Sequence, residues 1–433
     1  MPERLTVDEI PFRIAKSRNV RLIAYKAFAD LAGKGSLFVI TIVAAHLLSS
    51  RDFGVFALAS TLGWIVAVVT DFGIQLHLAR AVARRPADAG RLLRVWLRIR
   101  LWTAAGALLA VAIGVVATRA SVAMAAPILL FTLMYACSSL IEFLHYFYRG
   151  LSRSDVESSL TIWQRAATLV CGLLALAWRA DVTVLAVAML VPVAVTLVVS
   201  LRIASRLGAA NDMVAPAGPR AGPGLATEFR REVLPIGAGI VLSALYFRID
   251  VFLVQFWAGT ESVALYNAVF RLVEALRLFP AAVLAVALPS LCRAGDSRAL
   301  IRVAMPVTLF AGVTAGVVWA AAGWAIPLLY GERYSAAVPA FRILLLSFPL
   351  LSLNYALTHQ LVGWDRQRAY AAICGMALAT NIALNARLIP ALSIKGAAWA
   401  TLGTEALLTV GCLVALSKPV APMTPEPIVS AMV

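Results

Sequence analysis

Charged residues are scarce in this sequence, and the two signs are unevenly represented. Asp, Glu, Lys and Arg together make up 14% of the 433 residues, whereas hydrophobic residues make up 61%. A soluble domain carries far more charge than this on its surface. Long apolar runs of about 20 residues recur instead, and that is the length a helix needs to cross a bilayer. The composition therefore excludes an ordinary soluble protein and predicts a chain that crosses a membrane many times.

Patterns that would indicate other classes of protein are also missing. The apolar runs show no alternation of period two, so the membrane-spanning elements are predicted to be helices and not strands of a barrel. The five cysteines have no metal-ligand spacing and lie mostly within or at the ends of apolar runs, which predicts buried thiols and no disulfide framework. A long charged segment precedes the first apolar run, near Ala27, so no signal peptide is expected.

The apolar runs predict an all-α membrane protein with about twelve spans in two lobes of six. The predicted N-lobe covers residues 27–202 and the predicted C-lobe covers residues 233–416. A basic leader (1–26) precedes them, and a linker rich in Gly, Pro and Ala joins them (203–232). The Pro-rich tail (417–433) is predicted to be disordered.

Lys and Arg are concentrated in every second loop, which indicates the orientation of the chain. The leader, the linker and the tail all belong to the basic set of segments. The other set carries only a few positive residues, namely Arg51, Arg119, Arg179, Arg333 and Lys395. The net charge of +16 is therefore interpreted as a topology signal and not as a sign of nucleic-acid binding. Both termini and the linker are predicted to be cytoplasmic.

Short segments of the two halves resemble each other. HYFYRGLSRSD in the first half corresponds to HQLVGWDRQR in the second, with Gly150 matching Gly363 and Arg153 matching Arg366. Six spans in each half give both halves the same orientation in the membrane. The sequence thus predicts a parallel repeat with a central cleft between the lobes, which is where transporters of this kind hold their substrates.

Charged residues interrupt the two apolar runs on either side of Gly259. Arg248 and Asp250 lie about 14 and 10 Å before the turn, and Arg271 lies about 14 Å beyond it, at 1.5 Å per residue. Charges at such depth are costly unless they face protein or water, so they indicate a functional site.

The second of these runs presents a polar stripe. Asn267, Arg271 and Glu274 are spaced i, i+4, i+7 and share one helix face, which predicts a cavity wall. Lys34 in the first span is a partner from the other lobe, unless it pairs with Asp30 four residues away. The alternative for the second lobe is purely structural: Arg248 with Asp250, and Arg271 with Glu274, would neutralise each other between helices.

Several segments resemble the Wzx-type oligosaccharide-lipid flippases, the polysaccharide-biosynthesis members of the MOP exporter superfamily. The resemblance rests on LSSRDFGVFALAS in the first half and on RIDVFLVQFWAGTESVALYNAVFRLVEAL in the second. It is strengthened by LLYGERYSAAVPAFRILLLS and by NIALNARLIPALSIKGAAWATLGTE near the end. It covers nearly the whole chain and implies a MATE-like fold of two six-helix lobes around a central cleft.

The resemblance implies a transporter of the bacterial inner membrane, without a catalytic site. It would move an oligosaccharide linked to undecaprenyl pyrophosphate from the cytoplasmic to the periplasmic leaflet by alternating access, for surface polysaccharide biosynthesis. Its partners would be that lipid, the membrane lipids and the polymerase or export machinery. Arginine suits a pyrophosphate because its N–H groups match phosphate oxygens. The candidate binding residues are Arg248, Arg271, Lys34, Arg277 and Arg165, with Asp250, Glu274 and Asn267 as charge or hydrogen-bond partners.

The resemblance also implies a coupling-ion site, since some flippases of this superfamily bind sodium in the second lobe. The matching residues are Asp250, Asn381, Asn385 and Thr401, and oxygen ligands suit a hard cation. Asn385 stands where the pattern has Asp, which removes a charge. The alternative is that the two asparagines simply join helices. Sodium or protons are thus the expected coupling ions, and no other cofactor is expected.

Two other functions are alternatives for this sequence. A multidrug exporter of the same superfamily handles mostly cationic compounds, which an arginine-lined cleft would repel. A membrane glycan polymerase or ligase would need a large periplasmic loop with acid-base residues, whereas the loops predicted on that side are short.

Overall fold

The computed structural model describes residues 35–212, 227, 229–278, 280, 283, 297–364 and 366–417. Every regular element in these ranges is helical. Long apolar segments become helices because a helix satisfies its own backbone hydrogen bonds, which hydrocarbon cannot do. The predicted leader 1–26, Lys34 and residues 418–433 of the tail lie outside the described residues, as does half of the linker.

Thirteen α-helices are described. Those of the first half, which form the first lobe, are α1 (Gly35–Leu47), α2 (Ser50–Asp71), α3 (Ile74–Arg84), α4 (Ala89–Ala117), α5 (Val122–Gly150), α6 (Ser154–Trp178) and α7 (Val182–Asp212). Those of the second half, which form the second lobe, are α8 (Leu234–Ala258), α9 (Thr260–Leu276), α10 (Ser297–Tyr330), α11 (Val338–Gly363), α12 (Gln367–Leu392) and α13 (Ile394–Ser417). Short 3₁₀ or π segments precede α4, α8 and α11.

Ten of the described helices are long and apolar enough to cross a membrane. The predicted first and eighth spans correspond to α1 and α9, whose described lengths are shorter than those of the ten, so the count of twelve is not confirmed. The predicted second span is too long. Its apolar run predicts a span that ends near Leu78, but α2 ends at Asp71 because Phe72 and Gly73 both have positive φ (48° and 78°). Leu78 lies in α3, a short helix with one apolar and one basic face.

The predicted repeat has structural counterparts at the matched residues. Gly150 is the last residue of α5 and Gly363 is the last residue of α11. Arg153 and Arg366 are the N-cap residues of the helices that follow. The packing repeats as well, since α5 and α6 both pack on α7 as α11 and α12 both pack on α13. The exact lobe boundaries remain a prediction.

Helix α2 forms the junction between the lobes, where it packs on α8 and α9. Near its start, Gly54 meets the first turn of α9 so closely that an added Cβ would lie 2.1 Å from the carbonyl oxygen of Thr260. Just beyond its end, a Cβ on Gly237 of α8 would lie 2.3 Å from the carbonyl oxygen of Phe72. Two glycines thus allow the backbones of the two lobes to touch near both ends of α2.

Candidate functional site

A three-residue cluster of opposite charges lies between α8 and α9. The Nη2 atom of Arg248 donates to Oε1 of Glu274 at 2.7 Å, and Nη1 of Arg271 donates to Oε2 of the same carboxylate at 2.9 Å. The arginine side chains are 4% and 14% exposed, and that of Glu274 is 24% exposed. One carboxylate therefore bridges two buried guanidinium groups, and the bridge is reached through its most accessible member. We call these three residues the arginine–glutamate cluster.

The cluster retains hydrogen-bonding groups that no described residue satisfies. Nη1 of Arg248 and Nε of Arg271 are buried without a partner among the described residues. The same is true of both polar side-chain atoms of Asn267, one turn before Arg271, and of the Tyr330 hydroxyl. Buried donors are normally paired, because leaving one unpaired costs about 1–3 kcal/mol. The two arginines together carry one more charge than Glu274 neutralises. An anion site requires such an excess of positive charge together with unpaired donors.

Aromatic rings hold the guanidinium groups in place. Arg248 lies over the ring of Phe270, 4.7 Å from its centre, and Arg277 lies over the ring of Phe247 at 4.5 Å. The two rings meet edge to face, 5.2 Å apart. Such cation–π contacts favour an arginine that has lost its water. These contacts fix the planes of the guanidinium groups without using the N–H groups of the arginines.

The cluster faces the junction between the lobes. Tyr135, on α5 of the first lobe, lies near both Arg248 and Arg271. Its ring also packs against Gly63 of α2. The predicted cavity wall of Asn267, Arg271 and Glu274 therefore lies where the two lobes meet.

The alternative pairing of Arg248 with Asp250 is wrong. Asp250 instead accepts a hydrogen bond from the hydroxyl of Tyr266 on α9 and one from its neighbouring backbone N–H, at Val251 (2.9 Å). Residues two apart on a helix point to nearly opposite faces, so Arg248 and Asp250 cannot both face α9 in the same way. The expected pairing of Arg271 with Glu274 is present, as an i, i+3 contact on one helix.

Tyr266, which the sequence reasoning did not single out, joins two of the predicted cation ligands. Its hydroxyl contacts Asp250 and lies 3.3 Å from the hydroxyl of Thr401 on α13. The contact between Tyr266 and Asp250 is predictable from the sequence, because the two residues stand at nearly equal distances on either side of the turn at Gly259. Helices that leave one turn in opposite directions bring such positions to the same depth.

The two predicted asparagine ligands pair with each other on α12. Nδ2 of Asn385 donates to Oδ1 of Asn381 at 2.8 Å, and Nδ2 of Asn381 contacts the Thr404 hydroxyl of α13 at 3.3 Å. Oδ1 of Asn385 is buried and has no partner among the described residues. An unpaired amide oxygen, a carboxylate and threonine hydroxyls fit a hard cation.

A small cavity lies beside these groups. Its lining includes Asn381, Thr401, Thr404 and Glu405, and it offers about 10 Å³ to the centre of a water molecule, roughly the room that one water needs. Glu405 is 2% exposed and accepts a hydrogen bond of 2.7 Å from Asn354 of α11. Asp250 reaches Thr401 through Tyr266, while Asn381 and Thr401 share the cavity, so the four predicted ligands occupy one region of the second lobe.

The other predicted site residues are placed differently. Arg277 follows α9 directly and stacks on Phe247, whose ring also lines the small cavity. Arg165 belongs to α6 of the first lobe, where its Nε is buried without a described partner, and the structure records no contact between it and the cluster. Lys34 lies just before the first described residue.

The first lobe contains a buried charge pair that the sequence reasoning missed. Arg100 of α4 is 1% exposed, and its Nε lies 3.7 Å from Oδ1 of Asp71, the last residue of α2. Its Nη2 donates to the Ser139 hydroxyl at 2.5 Å. Asp71 also accepts a bond from the backbone N–H of Gly73, 3.1 Å away, at the break after α2. This pair therefore ties three helices together at the point where α2 ends.

The ends of α1 and α10 bond to each other across the two lobes. Nε2 of His46, in α1, lies 2.9 Å from the carbonyl oxygen of Leu329, in the last turn of α10. In return Arg333, just after α10, donates to the carbonyl oxygens of Ala45 and of Leu48 (2.9 Å), at the end of α1. Each helix thus supplies a basic side chain to the free carbonyls at the end of the other. We call these five residues the carbonyl latch.

Comparisons with solved structures identify the fold. One similar structure is described as the inward-facing conformation of a multidrug resistance MATE family transporter of the MOP superfamily. The alignment covers 90% of this chain and 94% of that chain, with 13% identity and a TM-score of 0.67. It also matches a MOP superfamily transporter from Pyrococcus furiosus, described as having a binding pocket of reverse polarity that suggests a different function (91% and 94% coverage, 16% identity, TM-score 0.63). A eukaryotic MATE transporter, AtDTX14, is similar too (93% and 96% coverage, 16% identity, TM-score 0.62). At these identities the likeness shows the fold alone, which is that of the MOP transporters.

Sequence comparison identifies the family. No curated protein sequence matches the chain. The family model described as polysaccharide biosynthesis protein matches residues 20–294, which include the first lobe and the hairpin of α8 and α9. Together with the helical fold, this match makes the protein a multi-pass membrane transporter. The chain belongs to the polysaccharide biosynthesis protein family of the Wzx flippase type.

Proposed function

We propose that the protein is a flippase for an oligosaccharide linked to undecaprenyl pyrophosphate. It would carry this lipid from the cytoplasmic to the periplasmic leaflet of the bacterial inner membrane, with both of its own termini in the cytoplasm. The observation that supports this most is the set of unpaired N–H groups on Arg248 and Arg271 at the junction of the lobes. A pyrophosphate has the charge and the oxygen acceptors to satisfy them.

Glu274 explains how the cluster can hold and release such a group. In the described arrangement its carboxylate occupies one N–H position on each arginine. A pyrophosphate that arrives at the cluster would first use the free positions and then compete with Glu274 for the others. Binding would thus exchange one anion for another, and the arginines would not be left uncompensated in a low-dielectric site.

Alternating access requires that the cleft close on one side at a time. The carbonyl latch closes the side that bears the short turns after α1 and α10, and the charge pattern of the loops favours the periplasm for this side. The described arrangement would then be the one that receives substrate from the cytoplasmic leaflet. Rocking of the lobes about α2 would break the latch and open the cleft to the periplasm.

We further propose a coupling-ion site in the second lobe, made by Asp250, Asn381, Asn385 and Thr401. The unpaired Oδ1 of Asn385 supports this role. The Tyr266 hydroxyl now bonded to Asp250 would turn away when the ion binds. Sodium is the cation that these oxygen ligands suit, and a proton on Asp250 is the alternative.

Export of cationic compounds is the second candidate, since several solved structures with this fold are described as multidrug transporters. Glu274 is the partly exposed carboxylate that would bind a cation in that case. It is outnumbered by Arg248 and Arg271, which is why the anionic substrate is preferred.

The test is mass spectrometry of the lipid-linked sugar pool in cells that lack the protein. A flippase predicts accumulation of one defined oligosaccharide on undecaprenyl pyrophosphate, and the same accumulation in cells with Arg248→Gln or Arg271→Gln. Arg153→Gln, an exposed arginine paired with Asp155 far from the cluster, should restore the normal pool. An unchanged pool together with new sensitivity to cationic drugs would reject the flippase in favour of the exporter.

A further inference from the structure

Glu405 lies in the middle of α13, the last helix that the structure describes. It stands about 17 Å from either end of that helix, which runs from Ile394 to Ser417, at 1.5 Å per residue. Helix α13 is long and apolar enough to cross a membrane, and the Glu405 side chain is buried in it. A carboxylate at this depth indicates a functional site, because hydrocarbon does not solvate its charge.

No described basic residue forms an ion pair with this carboxylate. The positive charge near Glu405 is that of Arg277, whose guanidinium group stacks on the ring of Phe247, 4.5 Å from its centre. Arg277 also lies near Glu274 of the arginine–glutamate cluster, so its charge serves two carboxylates. Buried charges in proteins are paired or coordinate a metal ion. The described residues therefore leave Glu405 without a cation in contact.

Neutral groups of α11 and α13 hold the Glu405 carboxylate in place. Nδ2 of Asn354 donates to Oε2 of Glu405 at 2.7 Å and to the backbone carbonyl oxygen of Glu405 at 2.9 Å. The Thr409 hydroxyl in turn donates to Oδ1 of Asn354 at 2.7 Å, which fixes the orientation of the amide. Outer partners of this kind orient the ligands of metal sites. The carboxylate is therefore positioned by an amide that leaves its charge intact.

The small cavity beside Glu405 is lined by oxygens that can accept a cation. The hydroxyls of Thr401 and Thr404 donate to backbone carbonyl oxygens one turn earlier in α13, at 3.0 and 2.7 Å. A hydroxyl has one proton to donate and two lone pairs, so each retains at least one lone pair for another partner. Oδ1 of Asn381 accepts one hydrogen bond, from Asn385, and has a second lone pair. These oxygens suit a hard cation.

The negative charge at the small cavity comes from Glu405 and not from Asp250. Of the described acidic residues, Glu405 alone contributes to the lining. Asp250 instead accepts hydrogen bonds from the Tyr266 hydroxyl and from the backbone N–H of Val251. Glu405 and Thr401 are four residues apart and share one face of α13. That face presents a carboxylate and a hydroxyl to the same cavity.

We propose that Glu405 is the charged ligand of a sodium ion in the small cavity. The neutral ligands are the oxygens of Asn381, Thr401 and Thr404. The inference rests on the coupling-ion site proposed above and deepens it, because it identifies a carboxylate that directly lines the cavity. One carboxylate matches one positive charge, whereas a divalent ion would leave a net charge in a low-dielectric site. The cavity has room for about one water molecule, and a sodium ion without its water is smaller than that.

Binding of sodium-22 to the purified full chain in detergent tests the proposal. Glu405→Gln removes the charge but keeps an oxygen for Asn354, and it should weaken sodium binding by about tenfold or more. Thr404→Val leaves the carboxylate in place and should also weaken binding, by a smaller factor. The matched control is Glu261→Gln, which removes an exposed carboxylate from the first turn of α9 in the same lobe. It should bind sodium as the unmodified protein does.

Asp250→Asn separates this inference from the wider proposals. The loss of sodium binding should be smaller in Asp250→Asn than in Glu405→Gln. Normal binding in Glu405→Gln with a loss in Asp250→Asn would overturn the role of Glu405 and leave the coupling-ion site standing. Absence of sodium-22 binding to the unmodified protein would overturn both, while the lipid-linked sugar pool would still decide the flippase. An equal loss in Glu261→Gln would mean that sodium responds only to the total charge, which also rejects the site.

Discussion

Arg248 bonds to Glu274 at 2.7 Å across the hairpin of α8 and α9, while Asp250, only two residues further on, bonds to Tyr266. Half a turn of α8 thus separates two polar systems by pointing them to different faces. Arg248 belongs to the arginine–glutamate cluster at the junction of the lobes, and Asp250 belongs to the interior of the second lobe. The proposed anion site and the proposed cation site are therefore neighbours in sequence without sharing a side chain.

Replacing Glu274 by Gln should increase affinity for pyrophosphate and decrease the stability of the free protein. Loss of the carboxylate leaves Arg248 and Arg271 without their common partner, and breaking a buried charge pair costs about 3–5 kcal/mol. Both effects are measured by thermal unfolding with and without undecaprenyl pyrophosphate. The lipid should raise the melting temperature of Glu274→Gln more than that of the unmodified protein.

The double variant Arg248→Met, Glu274→Leu serves as the control for that experiment. It leaves one buried guanidinium group uncompensated, that of Arg271, whereas Glu274→Gln leaves two, so its stability should exceed that of Glu274→Gln. The ligand should no longer protect it. If the lipid protected this variant as well as the unmodified protein, the pyrophosphate would bind elsewhere.

Asn385→Asp should strengthen sodium binding in the second lobe by tenfold or more. The substitution places a carboxylate beside the Oδ1 atom of Asn381 and supplies the charge that the predicted ligand set lacks. Sodium-dependent protection from thermal unfolding measures the effect, with choline chloride at equal ionic strength as the reference. Thr401→Val should weaken the response, since it removes an oxygen that lies 3.3 Å from Tyr266. Equal protection by sodium and choline in Asn385→Asp would exclude a sodium site here.

Arg333→Ala should shift the lobes toward opening on the side of the carbonyl latch. Hydrogen bonds to a charged group contribute about 1.5–3 kcal/mol each, so the loss should change the ratio of closed to open states by tenfold or more. Spin labels at the exposed positions Arg51 and Ala336 report the distance between the lobes. Arg342→Ala is the matched control, because Arg342 is half-buried and stacks on Trp319 within the second lobe, away from the latch. A distance distribution in Arg333→Ala equal to that of the control would mean that the latch does not hold the lobes together.

Gly→Ala substitutions at Gly106 and Gly54 should change the melting temperature in opposite directions. At Gly106 on α4 nothing lies within 4 Å of an added Cβ, so Gly106→Ala should stabilise the helix by up to about 1 kcal/mol. At Gly54 the Cβ would meet the Thr260 backbone at 2.1 Å, so Gly54→Ala should force α2 and α9 apart. Melting temperatures measured side by side give both signs. A rise in both variants would show that α2 does not pack on α9 as described.

The periodicity of the apolar runs sufficed to predict most of the helices, because bilayer thickness fixes their length and hydropathy marks them. The break at Phe72 and Gly73 escaped prediction, since a left-handed backbone at one non-glycine residue leaves no trace in hydropathy. The depth of Arg248 and Arg271 followed from counting residues from the turn at Gly259. Which carboxylate Arg248 bonds to did not, because that depends on the rotation of α8 against α9.

The contacts of Tyr266 and Arg333 could not be predicted either, because they depend on how the helices are arranged in space. A tyrosine in an apolar helix resembles any membrane-interface aromatic until its hydroxyl is placed opposite Asp250. Arg333 was counted as a loop charge that reports topology, and its bonds to Ala45 and Leu48 come from a turn almost 290 residues away in the chain. Contacts between lobes at such separations have no local signature in a single sequence.

When the cleft opens on the side of the carbonyl latch, the polar groups that the latch pairs become hydrated. Carbonyl oxygens of Ala45, Leu48 and Leu329 are bonded by the opposite lobe when the cleft is closed, and they have no intrahelical donor at the ends of their helices. Water must replace each of these bonds when the lobes part. The equilibrium between the two states therefore depends on the activity of water, and solutes excluded from the protein surface favour the closed state. Osmotic conditions outside the membrane would then act on the transport cycle directly, through water rather than through a bound regulator.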